Sequence, residues 1–109
     1  MGQRPLPKDE LSLSPRTARA WECAPDGHVV LLVPKFGGVL GRLLNRRLGE
    51  PYMRIHLDAI GSTVYQACDG TRTGAQIAEI VASRFPSETN IQGRVQVFLG
   101  MLRSQGHIA

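Results

Sequence analysis

The chain is 109 residues long, enough for one hydrophobic core and too short for two. Hydrophobic residues at 42% and charged residues at 20% exclude a wholly disordered protein. The formal net charge of +4 suggests a nucleic-acid binder only until its distribution is read. Residues 1–54 carry nine Lys/Arg against five Asp/Glu, whereas from residue 55 onward Arg72, Arg84, Arg94 and Arg103 balance Asp58, Asp69, Glu79 and Glu88. The longest apolar run, Val29–Val33, is far short of a membrane span. Residues 1–15 are polar and proline-broken, unlike a secretory leader, and Cys23 and Cys68 fit reduced thiols, so a cytoplasmic protein is expected.

In chain order, Pro5, Pro7 and Pro15 with mixed charge predict a flexible N-terminal arm over 1–15. Thr17–Cys23 and His28–Val33 flank Ala24-Pro25-Asp26-Gly27, a turn sequence joining two strands. Phe36, Val39, Leu40, Leu43, Leu44 and Leu48 then recur at three and four, with Arg42, Arg46 and Arg47 on the other side. This is a short basic amphipathic helix, read as a lid over the sheet, a docking patch or a membrane-surface contact; a solvated helix over the core is the plainest of these. Tyr52–Leu57 returns to period two, with Met53, Ile55 and Leu57 on one face and Tyr52, Arg54 and His56 on the other.

Three helices complete the chain. Asp58 caps the first, with Ile60, Val64, Ala67 and Cys68 inward and Gly70 expected as its left-handed cap. Thr73-Gly74-Ala75-Gln76 is a capping-box pattern for the second, with Ile77, Ile80, Val81 and Phe85 inward and Pro86 closing it. The third starts near 87–90 and runs to Gly106, with Ile91, Val95, Phe98, Leu99 and Leu102 within about 100° of arc. The order βββααα makes an α+β domain.

Candidate catalytic chemistry is sparse. His28, His56 and His107 are far apart with no ligand spacing, and Cys23 and Cys68 form no CxxC. The cysteines sit at apolar positions and read as buried, inert thiols. Asp69-Gly70 reads as turn chemistry, and Gly37-Gly38-Val39-Leu40-Gly41 lacks the residues of a phosphate loop. The expectation is a protein that is not an enzyme and holds no cofactor or metal. One feature points elsewhere: Arg94, Val97, Met101 and Ser104 project within about 80° of one another, opposite the core seam of the third helix. Val97 and Met101 place a small apolar strip on a face expected to be wet.

The second half resembles the PqqD family. The residues that carry the resemblance are Leu57-Asp58-Ala59-Ile60-Gly61-Ser62-Thr63-Val64-Tyr65, Cys68-Asp69-Gly70-Thr71-Arg72-Thr73 and Ile77-Ala78-Glu79-Ile80-Val81. Val95-Gln96-Val97-Phe98-Leu99, Leu102 and Gly106-His107-Ile108 continue it, and Val30-Leu31-Leu32-Val33-Pro34 looks like the family's second strand. The Asp-Gly-x-Arg-Thr piece is the most specific. Gly74 stands where an apolar residue is usual and His107 where leucine is usual; the basic segment 36–51 is an insertion.

The resemblance implies a winged-helix-like α+β fold, a three-stranded antiparallel sheet followed by a three-helix bundle, over residues 16–109. It implies a non-catalytic peptide-recognition module that captures the leader of a ribosomally made precursor peptide and presents it to a separate modifying enzyme, commonly a radical S-adenosylmethionine enzyme. The leader would add as a strand to Tyr52, Met53, Arg54, Ile55, His56 and Leu57. Val97 and Met101 would form its apolar floor, and Arg54 and Arg94 would meet its carboxylates. The alternatives are a winged-helix DNA-binding regulator and a structural or regulatory subunit of another enzyme. A groove-reading helix brings several basic and amide residues, whereas the third helix offers Arg94 and Arg103 in a neutral half, so no specific nucleic-acid partner is expected.

Overall fold

The computed structural model describes residues 9–34 and 52–109; the expected basic helix at 36–48, the 36–51 insertion and residues 1–8 of the arm lie outside them. Among the described residues an antiparallel sheet of β1 (Ala20–Cys23), β2 (Val29–Pro34) and β3 (Tyr52–His56), in the order β1-β2-β3, is followed by helices α1 (Ala59–Ala67), α2 (Gly74–Arg84) and α3 (Ile91–Ser104). The α+β architecture is therefore that expected. β1 begins later than the sequence suggests, because Arg16 and Thr17 instead bridge to Asp69 and Ile108 at the far end of the chain.

Hairpin and sheet follow local chemistry. Gly27 takes φ +84°, which a side chain would resist, and Ala24 donates to the His28 carbonyl at 2.8 Å to close the turn. Val29 and Leu31 of β2 are fully buried against Val64, Tyr65, Leu99 and their neighbours. The Trp21 ring meets Tyr65 edge-on, with centroids 6.4 Å apart and planes at 89°.

The starts of α1 and α2 are each satisfied by a side chain. The Asp58 carboxylate accepts from the Gly61 N–H at 2.7 Å. Thr73 and Gln76 form the expected capping box, with the Gln76 N–H donating to Thr73 Oγ1 at 3.2 Å and the Thr73 N–H donating to Gln76 Oε1 at 2.9 Å. α3 starts where expected, but Asn90 precedes it at φ +53° and makes no side-chain cap bond. Gly70 is not the cap of α1, which ends at Ala67. With φ +83° it sits inside a turn that Asp69 organises, accepting from the Thr71 N–H (2.9 Å), the Thr71 hydroxyl (2.8 Å) and the Arg72 N–H (3.2 Å). The Thr71 N–H first, then its hydroxyl, then Arg72 hold the Asp69 carboxyl down to about 2. The most specific piece of sequence thus encodes a turn.

Residues 9–15, expected to belong to a flexible arm, are docked. The Leu13 and Leu11 carbonyls accept from the first N–H groups of α2, Gly74 at 2.9 Å and Ala75 at 3.0 Å. Glu10 is 3% exposed and both its carboxylate oxygens take the Arg103 Nε–H at 3.1 Å. This close approach accounts for Gly74: a Cβ there would stand 2.2 Å from the Glu10 carbonyl oxygen. Gly74→Ala is expected to destabilise by about 1–3 kcal/mol through overpacking, although alanine ordinarily favours a helix. Urea unfolding of the two proteins measures it, and an equal or raised midpoint would contradict the docking.

The chain end is tied in the same way. His107 is 5% exposed; its Nδ1 accepts from Arg19 Nε at 3.3 Å, and its carbonyl accepts from the Tyr65 hydroxyl at 2.9 Å. Burial, then the Arg19 charge, push the imidazole below its ordinary pKa. The unfolded chain therefore takes up a proton near the usual value of about 6.5 while the folded chain does not, so stability falls as pH drops below that point. The urea midpoint should decline between about pH 7.5 and about pH 5.5, and the His107→Leu variant should show a shallower decline.

Candidate functional site

β3 pairs with β2 alone among the described residues, so its other edge meets no described strand. The Leu57 N–H donates to the Val29 carbonyl at 2.9 Å, which fixes the phase of the ladder. Because backbone groups alternate sides along a strand, those of Ile55 and Met53 also face β2, and those of His56, Arg54 and Tyr52 face the free edge. Side-chain burial follows the expected alternation in part. Ile55 and Leu57 are half-buried against the core, while Tyr52, Arg54 and His56 are exposed. Met53, expected on the inner face, is 52% exposed at the strand's start.

α3 carries the apolar strip expected of it. Val97 and Met101 are 73% and 46% exposed, the former high for a valine in a folded helix. With Asn90, Gly93, Arg94 and Phe98 they line an open cavity of about 460 Å³. Arg94 and Phe98 also line a second cavity of about 180 Å³ with Asp58, Ile60, Gly61, Val64 and Val95. The shared residues join the two into one groove along α3 that reaches the start of α1. Gly61 permits the junction: a Cβ there would meet Asp58 Oδ1 at 3.0 Å, Phe98 Cζ at 3.2 Å and Leu57 Cβ at 3.5 Å. Leu57, the residue after β3, and Phe98 in the middle of α3 thus both approach this glycine. The sequence placed Phe98 in the core seam and gave Gly61 no role. Phe98's half-burial beside Met101, only about 60° away on the helix, was the available signal.

Both arginines of the site already hold carboxylates. Arg94 Nη1 donates to Glu88 Oε2 at 2.9 Å and Arg54 pairs with Glu22 of β1. All four side chains are between 43% and 49% exposed, so these pairs are worth little and exchange readily with other carboxylates.

Among the described residues no group of three or more His, Cys, Asp or Glu is placed to hold a metal ion, and no helix is long and apolar enough to cross a membrane. The two thiols differ, which corrects the expectation that both are buried. Cys68 is buried, donates to the Val64 carbonyl at 3.2 Å, and is pushed up to about 12 by burial and then by the Asp69 charge. Cys23 is exposed on β1.

A family model described as "Coenzyme PQQ synthesis protein D (PqqD)" matches residues 43–108, more than half of the chain. The chain belongs to the PqqD family. The match spans β3, all three helices and every residue that lines the groove. No significant match was found among the curated proteins or among the solved structures. PqqD membership supports an accessory role alongside peptide modification, in biosynthesis of the PQQ type.

Brief treatment of the native protein with iodoacetamide should give a single adduct at Cys23, with Cys68 alkylated only after denaturation, as mass spectrometry of the peptides would show. Equal labelling of both would contradict the burial of Cys68.

Proposed function

We propose that this PqqD-family protein is a non-catalytic peptide chaperone. It captures an extended leader segment of a ribosomally made precursor peptide and presents it to a separate modifying enzyme, of the radical S-adenosylmethionine class. The observation that carries the reading is the apolar groove along α3, which reaches Gly61 and Leu57, the residue that follows a strand whose outer edge meets no described strand. The outward backbone groups of Tyr52, Arg54 and His56 suit an added strand, and Phe98, Val97 and Met101 suit its apolar side chains. Methionine adapts to varied side chains, which fits a groove that accepts a sequence rather than one rigid ligand. Arg54 and Arg94 favour leader carboxylates by exchange with Glu22 and Glu88. Two free thiols fit a reducing, cytoplasmic setting.

The energetics suit transient capture. Several backbone hydrogen bonds of about 0.5–1.5 kcal/mol each, with one or two buried apolar side chains at about 1.5–3 kcal/mol, must offset the ordering of the peptide. The balance corresponds to micromolar affinity, about −8 kcal/mol. A DNA-reading role for α3 is disfavoured by its outward Val97 and Met101 and by the pairing of Arg94 with Glu88.

Met101→Glu should weaken leader binding by about 1–3 kcal/mol by placing a charge in the groove floor, without loss of fold, since Met101 is 46% exposed. Calorimetry against synthetic precursor-leader peptides, with circular dichroism as the folding control, measures it. Unchanged affinity in the folded variant, or NMR shifts on binding that avoid residues 52–57 and 94–104, would remove the groove from consideration.

A further inference from the structure

The smaller cavity along α3 differs in kind from the open one beside Val97 and Met101. Its volume is about 180 Å³, and it reaches down to Val64 and Val95, 0% and 2% exposed. Half-buried Ile60 and Phe98 flank it, and Gly61 lines it without a side chain. None of these side chains can hydrogen-bond a water, which needs several polar partners to be held. Its two exposed lining residues, Asp58 and Arg94, carry opposite charge. Asp58 spends Oδ1 on the Gly61 N–H, and Arg94 spends Nη1 on Glu88 and the Thr89 carbonyl. Among the described residues, Asp58 Oδ2 and the other N–H groups of Arg94 keep their hydrogen-bonding capacity.

Building on the leader capture proposed above, we infer that this cavity is a subsite for one phenyl- or isobutyl-sized leader side chain, and that Gly61 sets the size it accepts. An apolar cavity of about 150 Å³ inside a protein is enough to hold benzene. A volume of about 180 Å³ therefore suits one phenyl ring or branched aliphatic group and leaves an indole crowded. The opposed charges suit a neutral backbone rather than a charged ligand. An extended residue presents an N–H, which a carboxylate accepts, and a C=O, to which a guanidinium donates.

Gly61 is not at positive φ, so its backbone does not require glycine, and alanine is the better helix former. What its missing side chain provides is space. A Cβ there would stand 3.0 Å from Asp58 Oδ1 and 3.2 Å from Phe98 Cζ, and both residues line the cavity. Arg94 and Phe98 also line the open cavity, so a leader anchored here has its register past Val97 and Met101 fixed by one side chain.

The test is NMR titration of the full chain with the N-acetyl, N-methylamide derivatives of phenylalanine, leucine, tryptophan and alanine, each a single side chain between two peptide groups. The phenylalanine and leucine probes should shift Ile60, Gly61, Val64, Val95 and Phe98. The alanine probe should bind about tenfold or more weakly, as burial of one large apolar side chain implies. Gly61→Ala should weaken the phenylalanine probe by a similar factor, and Phe98→Leu, which removes a ring from the lining, should improve binding of the tryptophan probe. Circular dichroism confirms that each variant is folded, and Phe98→Leu carries the test where Gly61→Ala does not fold. Equal binding of the alanine and phenylalanine probes, undiminished phenylalanine binding by folded Gly61→Ala, or no gain for tryptophan in Phe98→Leu would each overturn the assignment. If leader peptides shift residues 52–57 and 94–104 while the probes leave Ile60, Gly61 and Val95 unmoved, the subsite fails and the leader reading stands. If the probes bind here and leader peptides shift no groove residue, the leader reading fails, and with it the occupant assigned to the cavity.

Discussion

One buried hydroxyl joins the sheet to the helices. Ser62, 5% exposed, accepts the Val29 N–H at 2.8 Å and donates to the Leu57 carbonyl at 3.4 Å. It stands between two backbone groups that would otherwise bond directly as the β2–β3 ladder ends. The ladder therefore closes on α1 rather than continuing, and the chain turns from strand to helix at Asp58. The outer edge of β3 and the α3 wall share a fixed relation because both are referred to this short helix. Replacing Ser62 with an apolar residue would leave a buried N–H without its acceptor, an unsatisfied group worth about 1–3 kcal/mol.

Much of this frame is written locally. The capping box at Thr73, the Asp58 cap and the period-two strand at 52–56 depend on residues close in sequence, and their physical reasons hold wherever they occur. The docked segment 9–15 was not legible, because its order comes from Gly74 and Arg103, residues far along the chain. Read alone, alternating leucines with prolines and mixed charge describe an arm. Read with Gly74, they describe a strap whose carbonyls complete a helix start. Cys23 shows the same limit in reverse: an apolar position in a strand is buried only where a helix covers it, and β1 is exposed along its length.

The site divides along the same line. Its residues on β3 and α3 followed from periodicity, which says where a side chain points. The meeting of α3 with α1 did not, since it rests on the absence of a side chain at Gly61 and on Phe98 lying at the border of its helix's core stripe. Gly61 and Phe98 gain a physical meaning only when α1 and α3 are seen to meet.

For a groove that takes a leader as proposed, the distribution of charge around it bears on what it would select. A buried, unpaired arginine would make a leader carboxylate a source of affinity, because pairing would relieve a large desolvation cost. Arg54 and Arg94 are instead exposed and already matched by Glu22 and Glu88. An incoming carboxylate displaces another carboxylate, so the net gain is small, and a leader lysine or arginine is offered Glu22 or Glu88 in turn. Charge at this rim can therefore discriminate among registers of a bound strand more than it can hold the strand. On the proposed reading, holding would come from the backbone groups of Tyr52, Arg54 and His56 and from the apolar surface of Phe98, Val97 and Met101. Those forces are tolerant of sequence and modest in size, as capture followed by release to another protein requires.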